Sequence, residues 1–145
     1  MALKKHLVDQ GYFWIKLKKI KTNHFELKAK INGIKGRFIL DTGASNSCVG
    51  FNEVETFSLI TEDSEHKAAG AGTAEIETQL SKNNILEIGG FKLKKVKLVL
   101  LDLEHINNAL TNQEAQSVNG IIGADILNKG NAIIDYKKKR IYLSK

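Results

Sequence analysis

The chain has no proline and only one cysteine, one methionine and one tryptophan among its 145 residues. With no proline and no Gly/Ser-rich linker, nothing marks a domain boundary, and a single domain over 1–145 is expected. A lone cysteine, Cys48, excludes an intrachain disulfide and fits a reducing compartment. Next to Val49 it reads as a small buried hydrophobe rather than a redox sensor or an intersubunit bridge. No apolar run reaches about 18 residues, so no membrane-spanning helix is expected. The start, Met1-Ala2-Leu3-Lys4-Lys5-His6, has no apolar segment behind its lysines. It does not read as a secretory signal, and a cytoplasmic location is expected, although a leader removed before this start is compatible with the same residues.

What is present is the composition of a globular protein, 42% hydrophobic and 26% charged. The length suffices to bury a core without disulfide or metal staples. The net charge is +6, densest at Lys16, Lys18, Lys19 and Lys21 and at Lys137-Lys138-Lys139-Arg140. Lysines at turns and edge strands discourage edge-to-edge pairing. Without a nucleic-acid motif beside them, nucleic acid is not an expected partner.

Residues 2–10 read as a short helix with Leu3 and Leu7 on one face and Gly11 as its stop. Strand patterns then dominate. Phe13, Ile15 and Leu17 alternate, interrupted by Trp14, and Phe25, Leu27, Ala29 and Ile31 alternate with Glu26, Lys28 and Lys30. Asn32-Gly33 starts a turn, and Phe38-Ile39-Leu40 is a short buried strand. Residues 52–67 read as acidic and irregular. Ala68 to Gly72, followed by alternating Ile76, Thr78 and Leu80, reads as a mobile hairpin tip. Gly89-Gly90 turns a second hairpin, after which apolar parity switches from Phe91 and Leu93 to Val96, Leu98 and Leu100. That switch predicts a bulge near Lys94-Lys95. Residues 105–116 suggest about a turn of helix. Residues 120–123 suggest a buried strand, 124–129 a short helix ended by Gly130, and 132–135 with 140–143 a closing hairpin.

The chemistry concentrates in "FILDTGAS", Phe38 to Ser45. Three apolar residues run straight into Asp41, and a carboxylate carried inside is costly unless donors or a second ionisable group meet it. Together with "GIIGADIL" at Gly120 to Leu127 and "AIIDYKKKRIYL" at Ala132 to Leu143, this order resembles the retropepsin-like aspartic proteases, single-lobe relatives of pepsin. The resemblance runs from about Phe25 to Leu143. It implies a mostly β fold, a closed acid-protease barrel with short helices and an active site on a homodimer two-fold axis. Residues 1–22 would be a helix-plus-strand extension of a protease core at 23–145.

By that resemblance, Asp41 is the catalytic carboxylate, and Thr42, Gly43, Ala44 and Ser45 complete its loop. Gly43 would offer its N–H to the carboxylate, and Thr42 would send its hydroxyl across the subunit contact. Gly70, Ala71 and Gly72 match the flap that closes over substrate, although an ordinary hairpin end fits them as well. Ile121, Ile122 and Gly123 would pass beneath the catalytic loop and wall the cleft. Cutting a peptide without a metal or a covalent nucleophile needs both a base for water and an acid for the carbonyl or leaving amine. Two neighbouring carboxylates sharing one proton supply both. One Asp-Thr-Gly per chain implies that the second carboxylate comes from another copy. The expected function is therefore a homodimeric endopeptidase acting on extended peptide or protein substrates. The alternative is a retropepsin-like domain that dimerises and binds peptide with little or no cleavage.

Two features depart from the family pattern. Ala124 stands where retroviral members carry an arginine, and the flap tip lacks large apolar residues. Asp125 reads as an N-terminal helix cap and Asp135 as a surface residue. His66 lies near Glu62, Asp63 and Glu65, but the spacing matches no ligand motif, and His6, His24 and His105 are scattered. Neither metal nor cofactor is expected.

Overall fold

A computed structural model describes residues 2–63, 68–69 and 75–145. Among them the order is α1 (Leu3–Asp9), β1 (Phe13–Lys16), β2 (Lys18–Lys19), β3 (Phe25–Ile31), β4 (Ile34–Leu40), β5 (Cys48–Gly50), a 3-10 turn (Phe51–Glu53), β6 (Thr61–Asp63), β7 (Ala68–Ala69), β8 (Glu75–Ile76), β9 (Gln79–Ile88), β10 (Phe91–Leu101), α2 (Glu104–Asn112), β11 (Gly120–Ile122), α3 (Ala124–Lys129), β12 (Ile133–Asp135) and β13 (Arg140–Leu143).

Six strands close a barrel in the order β3-β4-β11-β5-β10-β9, with β9 returning to pair with β3. Closure removes the unpaired edges that a sheet would otherwise expose. The β3–β4 hairpin turns through Asn32 and Gly33, both at positive φ, with Ile31 opposite Ile34. This is the backbone that an Asn-Gly pair favours. The β9–β10 hairpin turns at Gly89-Gly90, with Ile88 opposite Phe91. Between Leu93 and Val96 the register slips by one residue, and Lys95 takes a positive φ of 55°. The bulge thus lies where the parity switch places it, and Phe91, Val96, Leu98 and Leu100 are all buried.

The larger core fills the barrel with Leu27, Ile31, Phe38, Phe57, Leu86, Ile88, Phe91, Leu98, Leu100, Ile122 and Ile126. Each such side chain contributes roughly 1.5–3 kcal/mol on leaving water. A smaller cluster of Ile20, Ile39, Leu110 and Val118 lies on the other side of the sheet. Phe38 and Leu40 therefore point inward while Ile39 is covered from outside. Burial on both faces accounts for the unbroken apolar run that ends β4.

The cover comes from α2, whose nine residues exceed the single turn expected at 105–116. Leu110 is its buried residue, and Asn107 ties it to both backbone groups of Val118, at 3.2 and 2.8 Å. Residues 52–63, the described part of the stretch 52–67, are likewise less irregular than expected, since β6 pairs with β9. At the N-terminus, Leu7 is buried but Leu3 is 45% exposed, so only one of the two anchors α1. Gly11 does stop the helix: its N–H reaches Val8 O and that of Tyr12 reaches Leu7 O, a Schellman ending. β1 pairs with β13, which also pairs with β12, forming a separate three-stranded sheet. Lys4 Nζ sits 3.9 Å from the centre of the Trp14 ring, tying α1 to β1.

Glu26 and Asn84 break the apolar pattern of the barrel, being buried and polar. Glu26 faces Arg37 Nε at 3.7 Å. The Asn84 amide donates to Ser81 O and Oγ and to Val96 O, and its Oδ1 accepts from Asn32 Nδ2. Asn32 in turn donates to Phe57 O and accepts from Ile85 N. This network satisfies the backbone groups freed by the bulges. Replacing Asn84 with Ala leaves several buried partners without a hydrogen bond, each costing about 1–3 kcal/mol. Asn84→Ala is expected to lose about 2–3 kcal/mol of stability in urea unfolding, whereas a loss under about 0.5 kcal/mol would show that the network is not needed.

Candidate active site

Asp41 is delivered by β4 and pinned at its main chain, since its N–H donates to Ile122 O at 3.0 Å. β11 runs parallel to β4, with Ile122 opposite Leu40, and antiparallel to β5, with Gly120 opposite Val49. One strand is thus threaded between the two that flank the Asp41 loop. The loop lies on it closely. Ala124 N–H donates to Ala44 O at 2.7 Å, and a Cβ on Gly123 would come within 2.6 Å of that oxygen. Only glycine fits there. Ile122 is buried in the barrel, and Ile121 packs half-buried against the outer cluster. What these residues give the loop is main chain and floor.

The carboxylate is held from one side. Asp41 Oδ1 accepts the Gly43 N–H at 2.9 Å, and Ala44 N–H donates to Asp41 O at 3.2 Å. The expectation of an enclosed carboxylate is corrected here. Asp41 is only half-buried in the single chain, because the loop ends at the surface. Thr42 and Ser45 are exposed. Thr42 borders a hollow of about 350 Å³ lined by Ala124, Leu127, Asn128, Asn131, Ala132 and Ile134. Gly70, Ala71 and Gly72, and also His66, lie outside the described residues. The hairpin predicted around them is seen at its base, where Ala68 pairs with Ile76 and Ala69 with Glu75. Among the described residues, no three His, Cys, Asp or Glu side chains gather where they could hold a metal ion.

Ser47 is the residue that sequence reasoning missed. It is fully buried, and its Oγ donates to Asp125 Oδ1 at 2.7 Å while accepting the Gly123 N–H at 2.8 Å. The same Asp125 oxygen accepts the N–H groups of Ser47 and Ile126, each at 2.9 Å. Asp125 is therefore not the residue that caps α3. Gly123 occupies that position, and Asp125, in the first turn, clamps the far end of the Asp41 loop. Only the apolar Cys48-Val49 that follows hints at burial of Ser47, and nothing local announces a partner 78 positions away. Asp135, expected at the surface, is half-buried and accepts the Lys138 N–H within its turn.

The comparisons agree with this geometry. The family model described as aspartyl protease matches residues 27–126, more than half the chain, and the chain belongs to that family. Its fold is similar to that of a retropepsin-like aspartic protease from Rickettsia conorii, with a TM-score of 0.62, 19% identity, and coverage of 91% of this chain and 90% of the other. The retroviral protease-like domain of Ddi1 from Leishmania major is similar with a TM-score of 0.56 at 19% identity, covering 81% and 86% of the two chains. The EIAV protease, solved with the inhibitor HBY-793, is similar with a TM-score of 0.54 at 19% identity, covering 71% and 84%. No curated protein matches the sequence. The fold is retropepsin-like, mostly β, with a closed barrel and short helices.

The clamp and the neighbouring thiol each yield a test. Ser47→Ala removes two hydrogen bonds, one of them to a carboxylate, and is expected to cost about 2 kcal/mol in denaturant unfolding. An unchanged midpoint would mean that the clamp carries no load. Burial, the largest cause, pushes the Cys48 thiol from 9.0 up to about 12, with Asp125 and Asp41 adding to the rise. The native thiol therefore stays protonated while the unfolded one ionises. The resulting contribution to stability is full below about pH 9 and is lost as pH rises toward about 12. Iodoacetamide at pH 8 should leave the native protein unlabelled and label it in urea, and fast native labelling would contradict the burial.

Proposed function

We propose that this chain is one half of a homodimeric aspartic endopeptidase that cleaves extended peptide with water held between the Asp41 carboxylates of both subunits. The observation that carries the reading is Asp41 itself. It is oriented by the Gly43 N–H on a loop locked from beneath by β11, it is half-exposed, and it heads the chain's single Asp-Thr-Gly. Asp125 is committed to Ser47 and to its own helix, which leaves it no role as the second acid. A two-fold axis beside the loop supplies that acid from a second copy.

The chemistry then balances with no further group. The ionised carboxylate takes a proton from water as the oxygen bonds to the scissile carbon, and the protonated one gives its proton to the carbonyl oxygen. The tetrahedral diol collapses, a proton passes to the amide nitrogen, and the C–N bond breaks. A carboxyl and an amine leave, and the pair again shares one proton. The substrate binds as an added strand, so that its main chain supplies much of the affinity.

A mixing experiment tests both halves of the proposal. Wild-type protein is incubated with a peptide library from mildly acidic to neutral pH, and the cuts are read by mass spectrometry. Asp41→Asn should abolish them while leaving the dimer intact. After exchange with an equal amount of that variant, about a quarter of the dimers retain two aspartates, and activity per mole of total protein should fall toward a quarter of the wild-type value. A fall to only about half would mean that each subunit works alone. Cuts that persist in Asp41→Asn would overturn the aspartic mechanism.

A further inference from the structure

The outer face of the β3–β4 hairpin carries an array that the one-dimensional sequence conceals. In the register of these strands Lys28 lies opposite Arg37 and Lys30 opposite Lys35. Directly opposed side chains share a face, so four cations form a two-by-two block. The block lines an open hollow of about 430 Å³, to which Glu87, Gly89 and Asn119 also contribute. The denser basic runs at 16–21 and 137–140 form no part of it.

Edge protection accounts for only part of this block. Like charges directly opposed across an antiparallel pair destabilise it. Lysines that guard a sheet belong on edges, and Lys28 and Lys35 do lie on stretches with one neighbouring strand. Lys30, however, is paired on both sides, with Lys35 and with Glu87, and Arg37 is hydrogen-bonded at its main chain to Asn119 on its far side. The carboxylates nearby leave most of the charge uncompensated. Glu26 faces Arg37 at 3.7 Å, and Glu87, though opposite Lys30, lies 3.8 Å from Lys92. Among the described residues, Lys28, Lys30 and Lys35 have no carboxylate within 4 Å. A cost to stability at a concave, charged and otherwise unremarkable sheet face points to a ligand.

We infer that this hollow docks an extended acidic segment of a polypeptide. Along each strand the cations repeat at i and i+2, roughly 7 Å apart, the spacing of alternate carboxylates in an extended acidic chain. Two features set a peptide ahead of a nucleic acid. No aromatic side chain lines the hollow, so bases find nothing to stack on. Glu87 stands within it, and a peptide can place a neutral or basic residue there, whereas a phosphate backbone is charged at every step. The site lies apart from the catalytic loop. Arg37 precedes Asp41 by four residues of extended strand, roughly 13 Å, and Lys35 lies farther away. The docking is independent of the endopeptidase reading and holds whether or not the bound chain is cut.

The test uses the full chain and a fluorescent peptide of alternating Glu and Ser, followed by anisotropy at low ionic strength. Lys28→Glu/Lys35→Glu should weaken binding roughly tenfold or more, while Lys18→Glu/Lys19→Glu, with the same change in net charge, should alter it less than about twofold. The melting temperature of Lys35→Glu should not fall, because a like-charge pair becomes an unlike one. Equal loss in the two double variants would reduce the effect to net charge and overturn the site. So would equal binding of a Gln-Ser peptide, or tighter binding of an oligothymidylate of the same length. No step of the assay involves cleavage, so an inactive enzyme and an absent docking site give different results.

Discussion

The passage of β11 between β4 and β5 is the constraint on which the rest of the site depends. The strands flanking the Asp41 loop do not pair with each other; each pairs with β11. The loop therefore cannot take its position until a segment some 80 residues later is in place. The contact is backbone on backbone, with Gly123 under Ala44 and Ile122 O on the Asp41 N–H. Such contacts tolerate little displacement, because adding a single carbon at Gly123 would drive the loop off its floor. The orientation of Asp41 is thereby written into the topology of the barrel rather than into side chains around the carboxylate.

Two buried polar networks complete what that topology leaves unsatisfied. At the loop, Ser47 and Asp125 tie the exit toward β5 to the first turn of α3. At the bulges, Asn84, Ser81 and Asn32 take up groups that the interrupted ladder releases. Both are satisfied mainly by partners distant in sequence. Each adds direction to a core whose apolar contacts alone would allow sliding, since hydrogen bonds in a low-dielectric interior are specific and costly to leave unmade.

Much of the framework was legible because its signals are local. Asn32-Gly33 and Gly89-Gly90 announce their turns, Gly11 ends its helix, and the parity switch after Leu93 locates the bulge at Lys95. What stayed hidden is what only pairing creates. Ser47 looks like one more polar loop residue until Asp125 is beside it. α2 looks marginal because its stability comes from lying over Ile39, not from its own pattern. Glu26 reads as the polar half of an alternation, yet Arg37 and the neighbouring cover bury it. The half-open Asp41 is hidden for the same reason, since exposure at a loop end depends on what packs against it.

The alternation within β4 explains how one strand can serve two separable ends. Its inward residues, Phe38 and Leu40, hold the barrel and so fix where Asp41 emerges. Its outward residues divide along the length. Ile39 is sealed under α2, while Lys35 is exposed and Arg37 half-exposed on the cationic face. A change at an inward position would disturb both the loop and the hollow, because it shifts the strand as a body. A change at Lys35 alters charge on one face without moving the backbone that carries the carboxylate. The two faces are thus mechanically joined through the core and chemically independent at the surface. That independence lets an acidic segment be held at one end of the strand while the loop at the other end keeps its geometry.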